Sequence, residues 1–103
     1  MKKEEIIKQI EGLIKEADDI KYDDYSGAKK VIDHFENFVA KYYDYLNPYV
    51  LENIGLTKSH FSEMLHAKKE NKKLEAWRNG CHDLRIDIEA MLTNNKFPDE
   101  LPD

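Results

Sequence analysis

Between Ala28 and Leu46 the apolar residues keep to one interval. Ala28, Val31, Ile32, Phe35, Phe38, Val39, Tyr42 and Leu46 recur three or four apart, which places them on one face of an α-helix. A face this dense needs covering, and the flanking sequence supplies stripes of the same period. Ile6, Ile10, Leu13, Ile14 and Ala17 precede it; Leu74, Trp77, Cys81, Leu84, Ile88, Met91 and Leu92 follow. No segment alternates apolar and polar residues at the period of two that a half-buried strand requires, and no internal repeat is visible. The fold class is therefore all-α, a compact bundle of three long helices at about 2–20, 27–46 and 71–94. Two short helices at about 48–54 and 57–66 complete it. The helix over 27–46 is expected at the centre, with Phe35, Phe38, Leu84 and Ile88 almost fully buried.

Local signals set the expected ends. Glu4 and Glu5 suit the positive end of the first helix. Residues 21–26, KYDDYS, form a polar linker, and Ser26 can cap the second helix. Gly80 falls inside the last helix at a cost of about 1 kcal/mol relative to alanine, which suggests the close approach of another backbone. Asn94-Asn95 ends that helix. Residues 1–95 then form a single helical domain, and 96–103, KFPDELPD, an acidic proline-containing tail that is extended or mobile.

A chain of 103 residues buries one core and hardly two. No apolar run approaches the roughly 20 residues that span a bilayer, and glutamates interrupt the N-terminal segment before any signal-peptide core can form. The single cysteine, Cys81, cannot form an intramolecular disulfide, which fits a reducing cytoplasm. The abundance of Lys, Asn, Ile and Tyr suggests a bacterial or phage gene.

The net charge of −5 is unevenly spread. Only residues 56–73 are positive, at +3, through Lys58, Lys68, Lys69, Lys72 and Lys73 against Glu63 and Glu70. An acidic protein with one basic patch can still meet a phosphate backbone, though non-specific affinity should be weak.

That patch overlaps a patterned stretch, residues 47–65, NPYVLENIGLTKSHFSEML. Asn47 is a good N-cap, and Pro48 follows at the first helical position. Val50 and Ile54 share a face, Gly55 supplies a turn with Leu56 beneath it, Thr57 can cap the next helix, and Phe61 and Met64 face inward. The stretch resembles the helix-turn-helix of the Cro and phage-repressor class. The resemblance implies that Thr57, Lys58, Ser59, His60 and Ser62 approach DNA, with Lys68 and Lys69 on phosphates. A fainter resemblance, carried by Phe35, Phe38 and residues 74–95, is to helical N-terminal domains of bacterial phage-defence proteins.

Other clusters point away from chemistry. His60, Glu63 and His66 read H-x-x-E-x-x-H, but the two histidines are six apart and diverge on a helix, so no metal is expected. Asp18, Asp19, Asp23 and Asp24 lack the spacing and central glycine of a calcium loop. Cys81 and His82 are adjacent and point about 100° apart on a helix, so they do not pair as nucleophile and base. No cofactor fingerprint or phosphate loop is present, and no catalysis is expected.

Aromatics remain. Phe35, Phe38, Tyr42, Tyr43, Tyr45 and Tyr49 are more than one face can hide. Tyr43, Tyr45 and Tyr49 are therefore expected to be the most exposed large aromatics and to line a protein contact or homodimer interface, since tyrosine buries a ring yet keeps a wet hydroxyl. The favoured reading is a small non-catalytic cytoplasmic interaction protein. The alternative is a DNA-binding regulator using residues 57–69.

Overall fold

The computed structural model describes residues 1–46, 48–93 and 95–101, and of residues 48–51 and 54 the backbone alone. It is all-α, with helices α1 (Lys3–Asp18), α2 (Tyr25–Lys41), α3 (Pro48–His66) and α4 (Glu70–Thr93), and one 3-10 turn at Tyr43–Tyr45. None of the described helices is long and apolar enough to cross a membrane.

α1 buries Ile6, Ile10, Leu13 and Ala17, the expected stripe, with Ile14 half-buried. At its start the Lys2 amide donates to the Glu5 carboxylate at 3.4 Å, which satisfies an end amide that no intrahelical carbonyl can reach. α2 begins two residues earlier than its expected start because Asp24, rather than Ser26, caps it: its carboxylate accepts from the Gly27 amide at 3.0 Å. A Cβ on Gly27 would lie 2.4 Å from that carboxylate, so any larger residue there makes the Asp24 side chain shift. Asp23 just before it adopts φ 68°, a left-handed conformation that Asp tolerates better than most residues.

α2 also ends earlier than its apolar stripe. The chain tightens into the 3-10 turn after Tyr42 and is extended at Leu46. The Tyr45 carbonyl is taken by the Lys96 amide at 2.7 Å, and Leu46 pairs with Asn95 in an isolated antiparallel bridge. Tyr42 and Leu46 still reach the core.

The two short helices expected over 48–54 and 57–66 are one helix. α3 runs through Gly55, whose φ is not positive and whose missing Cβ would meet nothing within 4 Å. A turn glycine of the expected kind would be left-handed. The helix continues because its second half is held from outside: Phe61 and Met64 are buried, and the Phe61 ring packs edge-on against Trp77 of α4 at 5.4 Å. That packing outweighs the roughly 1 kcal/mol of helix propensity lost at a glycine. The proposed cap at Asn47 and the inward faces of Val50 and Ile54 lie outside the described residues.

α4 buries Trp77, Leu84, Ile88 and Met91 as expected, with Ala76, Gly80 and Asp87 beside them. Gly80 permits a close approach, but by a side chain: a Cβ there would sit 3.0 Å from the Phe61 ring. α3 and α4 make the closest pair, α1 packs on α4, and α2 lies more loosely against α1. Phe35, Leu84 and Ile88 are fully buried and Phe38 nearly so.

Residues 96–101 return extended along the bundle end. Phe97 and Leu101 are buried in the core, and the Phe97 ring stands near Tyr42 (5.9 Å) and Tyr45 (6.1 Å). The Leu101 amide donates to the Met1 carbonyl at 2.7 Å, and the Lys3 amide to the Asp99 carbonyl at 3.0 Å. The Asn95 side chain donates to the Met91 and Leu92 carbonyls, both at 2.9 Å, and so closes the C-terminus of α4.

Candidate protein-binding surface

The tyrosines divide. Tyr43, in the 3-10 turn, is 60% exposed and is the most exposed large side chain among the described apolar and aromatic residues. Tyr45 is not exposed as expected: it is half-buried, because the tail brings Phe97 against it. The side chain of Tyr49 lies outside the described residues. Tyr22 and Tyr25 are more exposed than Tyr45, at 46% and 37%. Tyr22 is nevertheless anchored, its ring edge-on to Trp77 at 5.9 Å and its hydroxyl donating to Glu70 at 3.3 Å.

From Tyr42, the residue before Tyr43, the loose packing of α2 on α1 leaves an open hollow of about 410 Å³. Leu13, Phe38 and Tyr42 supply its apolar lining, with Gly12 on the α1 side and Asn37 and Lys41 on the α2 side. Lys41 Nζ lies 5.3 Å from the centre of the Tyr42 ring, a cation–π approach at the hollow's end. Glu16 and His34 bridge the two helices, Oε2 to Nδ1 at 2.9 Å. Beyond the bridge a second hollow of about 290 Å³ continues toward the α1–α2 turn, between Asp19 and Lys30. Sequence reasoning missed this groove. Its only trace in the sequence is Gly12, a helix-interior glycine whose Cβ position meets nothing within 4 Å.

The residues named for DNA are dispersed. Thr57 is fully buried; its hydroxyl donates to the Asp87 carboxylate at 2.9 Å, with the Asn53 carbonyl a second acceptor at 3.4 Å. It cannot approach a nucleic acid from there, because it serves the α3–α4 interface. Lys58 Nζ pairs with Glu36 of α2 at 2.7 Å, and His60 Nε2 lies 2.9 Å from Asp83 of α4. Ser59, Ser62, Lys68 and Lys69 are exposed. Elsewhere in the basic segment, Lys73 pairs with Asp23 at 3.0 Å and Lys72 with Glu75 at 3.7 Å. Much of that segment's positive charge is thus met by neighbouring acids, which lowers the potential a phosphate would feel.

The aspartates near the first turn have structural work. Asp24 caps α2, Asp23 holds Lys73, and Asp18 contacts Arg85, which also donates to Glu89 at 2.7 Å. Cys81 is half-buried, and burial pushes its thiol up to about 11, so the thiolate is disfavoured. Among the described residues no three His, Cys, Asp or Glu side chains gather into a group that could hold a metal ion. Burial likewise pushes the Asp87 carboxyl above its ordinary range, against the Thr57 hydrogen bond that favours its ionised form.

Compared with known proteins, the chain matches no described family, no curated protein and no solved structure.

Proposed function

We propose that this chain is a small non-catalytic helical interaction protein of the bacterial or phage cytoplasm, binding another protein or a second copy of itself. The observation that carries the reading is Tyr43. A bundle that buries Phe35, Phe61 and Phe97 leaves this ring 60% exposed, one residue beyond Tyr42, which lines the open hollow between α1 and α2. A large aromatic kept in water next in the chain to a hollow-lining residue has the composition of an interface anchor. The Tyr43 hydroxyl tolerates solvent when the surface is empty, and the ring supplies contact area when it is filled.

A photo-crosslinking amino acid at position 43, with a second at exposed Glu75 of α4, outside the groove, as control, tests this in cells. A discrete, saturable adduct from position 43 alone is expected. Identical smears from both positions would remove the reading. The alternative, duplex binding, draws on the exposure of Ser59, Ser62, Lys68 and Lys69. Duplex affinity that falls steeply with salt, with a slope reduced by about one unit in Lys68→Ala, is its signature.

A further inference from the structure

Resting on the reading of this chain as a protein-binding module, we infer that the occupant of the α1–α2 groove is the same groove of a second copy. The two would pack face to face about a twofold axis parallel to the helices, so that α1 and α2 of both copies form a four-helix bundle of two layers.

Three observations lead there. First, the groove runs along both helices: the hollow lined by Leu13 and Phe38 and the one between Asp19 and Lys30 share Glu16 and His34. The opening therefore matches a helix pair in length rather than a compact ligand. Second, α1 leaves space there. Gly12 gives up helix propensity, and its Cβ position meets nothing in its own chain. A residue of that kind allows close approach from outside.

Third, the two walls carry opposite charge. The α1 side presents Glu16 and Asp19, and the α2 side presents Lys30, His34 and Lys41, with Asp24 at its turn end engaged as the cap of α2. Among the described residues Asp19, Lys30 and Lys41 form no ion pair. This pattern selects one symmetry. An axis along the groove lays the acidic wall of each copy on the basic wall of the other. An in-plane axis across the groove would set acid on acid and base on base, which like-charge repulsion disfavours. Glu16 and His34 stand opposite each other within one chain. Under the favoured axis they stand opposite each other between chains as well. Asp19 of each copy then meets Lys30 of the other, because both line the hollow on the turn side of the Glu16–His34 bridge.

The area sets the strength. A helix of 16 residues is about 24 Å long, and two side by side are about 20 Å across. Both copies together would cover on the order of 1,000 Å², the lower bound of a specific interface. The dimer should therefore be weak and sensitive to salt.

Sedimentation equilibrium of the full chain at low salt, from about ten to several hundred micromolar, tests this. A reversible monomer–dimer equilibrium that shifts toward monomer in high salt is expected; a monomer at every concentration would overturn the inference. Asp19→Lys and Lys30→Glu should each weaken self-association about tenfold or more. An equimolar mixture of the two variants should recover dimer, because every cross-chain pair is then of opposite sign. Failure of the mixture to recover would overturn the proposed axis. Gly12→Trp sets its Cβ where nothing lies within 4 Å and its ring in the open hollow, so it should stay helical by circular dichroism and be monomeric. A dimer that survives Gly12→Trp would also overturn the inference, and Gly12→Leu serves if the larger side chain disturbs folding. A strict monomer removes the second copy yet leaves a contact at Tyr43 open. An intact dimer with no specific adduct from position 43 does the reverse, so the two failures are distinct.

Discussion

The α3–α4 hairpin and the α1–α2 pair are both antiparallel neighbours with apolar stripes of the same period, but they pack differently. Between α3 and α4 the Phe61 ring rests on Gly80 and meets Trp77 edge-on, while Thr57 and His60 reach Asp87 and Asp83 across the interface. Between α1 and α2 the corresponding glycine, Gly12, faces open space, and the cross-contact is the exposed Glu16–His34 bridge. In the hairpin the buried glycine, Gly80, is matched by the Phe61 ring. In the seam the small residue is unmatched within the chain. Stability is concentrated in the first region, and room for a partner is concentrated in the second, as expected when binding surfaces are drawn from the less densely packed parts of a fold.

The largest expected effect is in the hairpin. Phe61→Ala should cost about 3–5 kcal/mol in chemical denaturation, through lost burial plus the cavity left against Trp77. Phe38→Ala, on the rim of the open hollow, should fall at the lower end, about 3 kcal/mol. If Phe38→Ala proved the costlier of the two, the assignment of the tight and open regions would be reversed.

A smaller effect concerns the buried carboxylate. The folded-state pKa of Asp87 is raised above its unfolded value by burial. The native state therefore holds the proton where the unfolded chain releases it, and the stability so gained is lost as pH rises from about 4 through the raised value. Asp87→Asn still offers an oxygen to the Thr57 hydroxyl and carries no charge. Its stability should match wild type near about pH 3.5 and exceed it near about pH 7. A variant weaker than wild type at neutral pH would show that the ionised carboxylate, rather than its shape, holds α3 to α4.

The smallest effect tests the continuity of α3. Gly55→Ala should stabilise by about 1 kcal/mol, because Gly55 is helical and its Cβ would meet nothing. A loss of stability would indicate a left-handed turn there and restore the two-helix reading of the stretch.

These outcomes also mark what was legible in the sequence. The stripes of α1, α2 and α4 declared themselves, because apolar periodicity is what the core selects. Gly55 misled. Glycine followed by Leu-Thr carries the local chemistry of a turn and cap, whereas the continuation of α3 depends on Phe61 and Trp77, which are far apart in sequence. The Asp24 cap was hidden behind Ser26, an equally good capping residue; the choice turned on Gly27 leaving room for the carboxylate. The tail's composition said extended, but it did not disclose that Phe97 would enter the core and cover Tyr45. Of the groove only Gly12 was legible. Glu16 and Asp19 lie on one helix, Lys30 and Lys41 on the next, and only folding sets them on opposite walls.

The contrast between a closed hairpin and an open seam reduces to two glycines. Gly12→Ala and Gly80→Ala should be unfolded side by side in denaturant, at concentrations low enough to keep the chain monomeric. Gly12→Ala should gain about 1 kcal/mol, since helix propensity improves and nothing is displaced. Gly80→Ala should lose about 1 kcal/mol net. Its Cβ would press at 3.0 Å on a Phe61 ring that is buried and held by Trp77, and overpacking there exceeds the propensity gain. Opposite signs are the expected result; shifts of the same sign would contradict the division of this molecule into a packed half and an open one.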